Sequence, residues 1–163
     1  MANDAPAPGT CKTYPAIPAV PSRPSYFTTE VDEGWNAGAN SVKQLSGDVF
    51  LAFTQPQVRG AAMGFVTSRD TPDYYERITH GFMFTSDAIG RPTWAIMESG
   101  RLLTNPAVYA PTSVFRIERA NGVVSYLLDG SLIMISQTES VGQVMAGCSL
   151  YSSGDAVESQ EQP

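Results

Sequence analysis

The sequence predicts an all-β protein: a two-sheet antiparallel sandwich preceded by an extended, proline-rich N-terminal arm. Three observations predict it. Turn-forming residues punctuate the chain roughly every 8 to 15 residues, between short apolar runs. No window carries an apolar stripe at helical spacing for long enough to make a helix. Residues 113–136 hold three apolar runs parted by two tight-turn pairs, Asn121-Gly122 and Asp129-Gly130, which together make a three-stranded meander.

The arm covers 1–25. Six of the 12 prolines fall there, at Pro6, Pro8, Pro15, Pro18, Pro21 and Pro24. The last four recur every third residue, the period of a polyproline II helix. Proline lacks a backbone donor and fixes φ, so this stretch cannot be a helix or a central strand. Tyr14, Ile17 and Val20 lie between the prolines and give the arm apolar groups to dock with. The expected role of these residues is contact with other subunits of an assembly, copies of this chain included.

The sandwich domain covers 26–157. Its predicted strands are Tyr26–Val31, Ser41–Leu45, Asp48–Thr54, Ala61–Thr67, Arg77–Phe84, Thr93–Glu98, Ser113–Arg119, Val123–Leu128, Leu132–Ser136 and Val144–Ser152. In the run 113–119, Phe115 and Ile117 point one way and Arg116 and Glu118 the other. Both residues of an Asn-Gly or Asp-Gly pair tolerate the positive φ that a two-residue hairpin requires. Residues 158–163, Glu-Ser-Gln-Glu-Gln-Pro, read as an acidic polar tail.

Composition narrows the function. Hydrophobic residues are 42% and charged residues 16%, against about 25% charged in ordinary soluble domains. So low a charge content means either an unusually well-buried chain or a surface partly covered by partners. Ten basic against 16 acidic residues give a net charge of −6. With no basic cluster, neither nucleic-acid phosphates nor anionic lipid surfaces are expected partners. No run of about 18 apolar residues marks a membrane span, and the first residues lack the basic and apolar regions of a secretory signal. Cys11 and Cys148 are read as two separate reduced thiols, with a bond between arm and last strand as the alternative.

Candidate chemistry is sparse. His80, the single histidine, shares a strand face with Ile78 and Phe82, which reads as a packed, hydrogen-bonded residue. Glu98 stands alone on its predicted strand, where two carboxylates would be needed to flank a glycosidic bond. Asp70, Asp73 and Glu76 share one loop without making a convincing calcium set, and paired Cys/His spacing for zinc is absent. The expectation is therefore no enzyme, no metal and no cofactor. Exposed aromatics are the remaining option. Tyr74 and Tyr75 follow Pro72-Asp73 in a predicted loop, and Trp35 sits between Gly34 and Asn36. Such rings stack on the apolar faces of sugars while neighbouring Asp or Asn groups accept hydroxyl protons. Trp35, Asp73, Tyr74 and Tyr75 are thus the candidate glycan site, with packing of Trp35 and Trp94 in the core as the rival reading.

Two stretches carry a family likeness. One is Phe115-Arg-Ile-Glu-Arg-Ala-Asn-Gly-Val-Val-Ser-Tyr-Leu-Leu-Asp-Gly130 with Ser136 after it; the other is Cys148-Ser-Leu-Tyr151-Ser-Ser-Gly154-Asp-Ala-Val157. With Gly64-Phe-Val-Thr-Ser68 and Thr93–Gly100 upstream, they resemble the concanavalin A-like, or lectin-like, jelly-roll domains over roughly 34–157. The resemblance implies a jelly-roll sandwich. By association it implies a glycan-binding module or a building block of the kind found in tailed-bacteriophage virions. A structural or attachment subunit of a virion (tail, baseplate or capsid decoration) is the expected role. A stand-alone carbohydrate-binding module is the alternative, and a small glycan hydrolase using Glu98 the third option.

Overall fold

The computed structural model describes residues 10–15, 25–28, 33–41, 43–55, 60–67, 75–152 and 157–162. Every strand predicted between Asp48 and Ser136 is present, and two sheets face each other. The first sheet contains β1 (Thr10–Pro15), β2 (Ser25–Thr28), β4 (Val49–Thr54), β10 (Val114–Ala120), β11 (Val123–Leu128), β12 (Ser131–Ile135) and β14 (Val157–Gln162). Its spatial order is β12-β11-β10-β4-β14-β1-β2. The second contains β3 (Glu33–Asn40), β5 (Gly60–Val66), β6 (His80–Ser86), β7 (Pro92–Glu98), β8 (Arg101–Leu102) and β13 (Met145–Ser152). It runs β3-β13-β5-β6-β7-β8, and β9 (Ala107–Val108) also pairs with β7. All these pairings are antiparallel except that of β1 with β14. This is the two-layer β-sandwich that the turn rhythm predicts.

The meander forms as the sequence dictates. Asn121 and Gly122 have φ of 50° and 81°, and Asp129 and Gly130 repeat those values. Phe115 and Ile117 point into the sandwich while Arg116 and Glu118 are half-exposed. Phe115 lies at the centre of the core, with the rings of Phe84, Phe82 and Tyr109 4.8, 5.1 and 5.1 Å away. Edge-on ring contacts of this kind add to the area the rings bury. Arg119 shares the inward parity and is also buried. Its side chain donates to the Gly47 carbonyl at 2.8 Å and to Ser140 Oγ at 3.0 Å, which closes one end of the sandwich.

Several expectations are redrawn. The predicted strand at 41–45 is a single bridge, Leu45 to Val144, because the chain has already paired upstream as β3. Part of the expected arm, Thr10–Pro15, is a strand between β14 and β2. Thr10 to Tyr14 contains no proline, so its backbone donors can pair, and the proline series begins where β1 ends. Tyr14 and Pro15 therefore stand in a strand. Pro6, Pro8, Ile17, Pro18, Val20, Pro21 and Pro24 lie outside the described residues. Most of the expected tail is β14, held between β4 and β1. Backbone pairing on both sides gives a polar segment its ladder without any apolar alternation. The thiol reading is corrected as well. Cys148, fully buried on β13, is disulfide-bonded, and Cys11 on β1 is the chain's other cysteine.

The second sheet is apolar on both faces, a pattern that belongs to strands covered on both sides. Its inner face meets the aromatic core. On its outer face Ala62, Val66, Ile78, Met83, Met97 and Met145 form a second buried cluster, against which Trp35 and Tyr75 pack. Ile78 follows a short 3-10 turn, Tyr75–Arg77, that crosses this face. It can come so close only over glycine: a Cβ on Gly64 would stand 2.0 Å from the His80 carbonyl oxygen and 2.8 Å from Ile78 Cγ2.

Candidate functional site

The turn over the second sheet gathers three half-buried aromatic side chains. Tyr75 meets Trp35 edge-on at 4.9 Å, and Trp35 meets Tyr151 edge-on at 5.5 Å. Strand parity explains the third member, since Tyr151 follows Met145, Gly147 and Ser149 on the outer face of β13. Beneath the rings lies Gly60, where a Cβ would stand 2.6 Å from Tyr151 Cβ and 3.5 Å from the Trp35 indole. Any side chain there would push Tyr151 or the backbone aside.

Arg77 fastens the turn. Its guanidinium donates to Asn40 Oδ1 on β3 and to the Cys148 carbonyl on β13, with Ser149 Oγ at 3.5 Å. A planar group bonded to two strands at once fixes the turn's orientation, as a single-point ammonium could not. The result is a rigid apolar cluster with a polar border. Groups of this kind hold ring-shaped, partly apolar ligands by stacking and orient them by hydrogen bonds.

Of the four residues expected at a glycan site, the fold brings Trp35 and Tyr75 together. Asp73 and Tyr74 lie outside the described residues, as does Asp70. Trp94, by contrast, is buried in the inter-sheet core, so the two tryptophans divide between site and core. Tyr151 was missed at the sequence level because its strand, Val144–Ser152, was predicted without assigning its side chains to faces. Its separation of two, four and six residues from Ser149, Gly147 and Met145 was the available signal.

At one end of the inter-sheet space there is a second feature. Glu98 ends β7 pointing inward, and the buried Tyr126 hydroxyl donates to its Oε1 at 2.9 Å. Burial, and then the charge and hydrogen bond of Glu98, push the Tyr126 pKa well above the ordinary tyrosine value, so Tyr126 stays a donor. Glu98 lines a cleft of about 490 Å³ with Ser99, Arg101, Met134, Gln137 and Thr138, and is the one carboxylate there among the described residues. His80 is buried, and its Nε2 donates to the Thr138 carbonyl at 2.9 Å. Among the described residues no group of three Asp, Glu, His or Cys could hold a metal ion.

No protein-family pattern and no curated protein matches the sequence. Solved structures do match in fold. The SPRY domain of human HERC1 superimposes with a TM-score of 0.56 at 11% identity, over 79% of this chain and 83% of that one. The carbohydrate recognition domain of Emp47p gives 0.46 at 12% identity, over 80% of this chain and 72% of that one. The carbohydrate-binding module CBM66 from Bacillus subtilis gives 0.41 at 13%, over 75% and 80%. At these identities the HERC1 likeness is one of fold alone, and the chain has the two-sheet architecture of a jelly-roll sandwich.

Proposed function

We propose that this protein is a non-enzymatic binding module that holds a glycan against Trp35, Tyr75 and Tyr151. The observation that carries this reading is the meeting of the three rings, still partly exposed, on a face pinned by Arg77. Partly exposed aromatics on a rigid sheet offer stacking area to a sugar ring at little entropic cost. A disulfide at Cys148 suits work outside the reducing cytosol, where glycans are displayed.

Trp94 is buried, so a Trp94→Phe variant isolates the emission of Trp35. A bound polysaccharide then shifts that emission to the blue, and Trp35→Ala or Tyr75→Ala weakens binding about tenfold, equivalent to about 1.4 kcal/mol. Circular dichroism of both variants stays that of the parent. A glycan array with no hits, or hits indifferent to both substitutions, sinks the reading.

A second reading is a structural subunit of a larger assembly, a phage virion among them. One observation favours it: the edge strand β12 leaves Leu132, Ile133 and Ile135 exposed at 57, 38 and 49%. Uncharged apolar edges are the surfaces along which subunits join.

A further inference from the structure

We propose that the cleft beside Glu98 is a second binding site, distinct from the aromatic cluster, and that it takes a single neutral sugar residue. The cleft lies where the β7–β8 hairpin of one sheet faces β12 of the other.

Its polar groups are placed by the hairpin. Glu98 and Arg101 are direct cross-strand partners and both line the cleft. Ser99 and Gly100 between them hold φ of 47° and 84°. The Ser99 amide donates to the Ile78 carbonyl at 2.9 Å, and Glu76 packs over Gly100. The turn is therefore fixed on the sandwich. Tyr126 occupies Glu98 Oε1, while Oε2 and the Arg101 guanidinium have no protein partner among the described residues. Leu103 and Met134 supply an apolar wall.

Charge decides the ligand class. A cationic ligand attracted by Glu98 meets Arg101, and an anionic one attracted by Arg101 meets Glu98. A hydroxyl both donates and accepts, so neighbouring hydroxyls of one ring can give a proton to Glu98 and take one from Arg101. The C–H face of the ring then rests on Leu103 and Met134. At about 490 Å³ the cleft is at the smaller end of small-molecule sites, of roughly 300–1,000 Å³, which fits one ring better than a chain.

The test uses the full chain with methyl-labelled Leu and Met, titrated separately with the methyl glycosides of glucose, galactose and mannose. At least one glycoside shifts the Leu103 and Met134 methyls saturably, with a Kd on the order of millimolar. Glu98→Gln and Arg101→Gln each weaken it about tenfold. Both variants should fold, since the amide introduced at position 98 still accepts from Tyr126 through its carbonyl oxygen, and Arg101 is exposed. Trp35→Ala leaves this titration unchanged, which separates the cleft from the aromatic cluster. Three outcomes overturn the proposal: no methyl shift with any glycoside, shifts that survive both substitutions, or shifts produced by argininamide and by none of the sugars.

Discussion

Two buried tyrosines show how far a single hydroxyl's surroundings decide its effect. Tyr126 and Tyr109 both lie in the core. The Tyr126 hydroxyl donates to Glu98, whereas the Tyr109 hydroxyl is buried without a hydrogen-bond partner among the described residues. Removing a satisfied hydroxyl loses its bond, and removing an orphaned one relieves a desolvation cost. Tyr126→Phe is thus expected to destabilise the protein by about 1 kcal/mol in urea unfolding, and Tyr109→Phe to be neutral or stabilising. A pH dependence accompanies this. The folded-state pKa of Tyr126 is raised above the unfolded value of about 10, so its contribution is fully present below pH 10. Above that the unfolded chain gives up the proton and the folded one keeps it. Stability falls there by about 1.4 kcal/mol per pH unit from this residue, and Tyr126→Phe flattens the fall. The sequence placed Tyr126 on a hairpin strand, Val123–Leu128, and the structure turns it inward. The sequence could not show Glu98 as its acceptor, because the two meet only when opposite sheets stack.

At the scale of the element, the hairpins were the most legible features. Asn-Gly and Asp-Gly tolerate the φ of about 50° and 80° that both turns adopt. The Ser99-Gly100 turn reaches nearly the same angles with a residue that signals it less clearly, and the two-residue β8 after it went unpredicted. The meander also placed β12 last in its sheet, with no further strand beside it among the described residues. A register shift opposite Tyr126 and Leu127 leaves Ile133 as the extra residue, and bulges of this kind roughen an edge against pairing. Leu132→Lys and Ile133→Lys are expected to abolish any self-association seen by analytical ultracentrifugation, while changing stability by no more than about 0.5 kcal/mol. A parent protein that is monomeric at high concentration removes the support for the assembly reading.

For the whole molecule, the two layers are joined by the aromatic core and by the bond at Cys148. Residues 11 and 148 stand on strands of opposite sheets. A link closing a loop of over a hundred residues restricts the unfolded chain by about 5 kcal/mol in the chain-entropy account. Thermal melts with reductant, or of Cys148→Ser, are accordingly expected at clearly lower temperature than the oxidised parent. Identical melts with and without reductant would return the two thiols to separate roles.

By itself the sequence determined the class of fold, the meander, its turns and the inward face of β10. Side-chain alternation and positive φ are local properties, readable from residues one or two places apart. The tertiary structure alone decided that Val157–Gln162 is a strand rather than a tail, that the second sheet is covered on both faces, and that Trp35 meets Tyr75 and Tyr151. Each of these depends on which distant backbone supplies the hydrogen bonds and which distant side chain fills the space over a glycine. Those partners are separated by tens of residues in the chain, and only the closed sandwich brings them within contact.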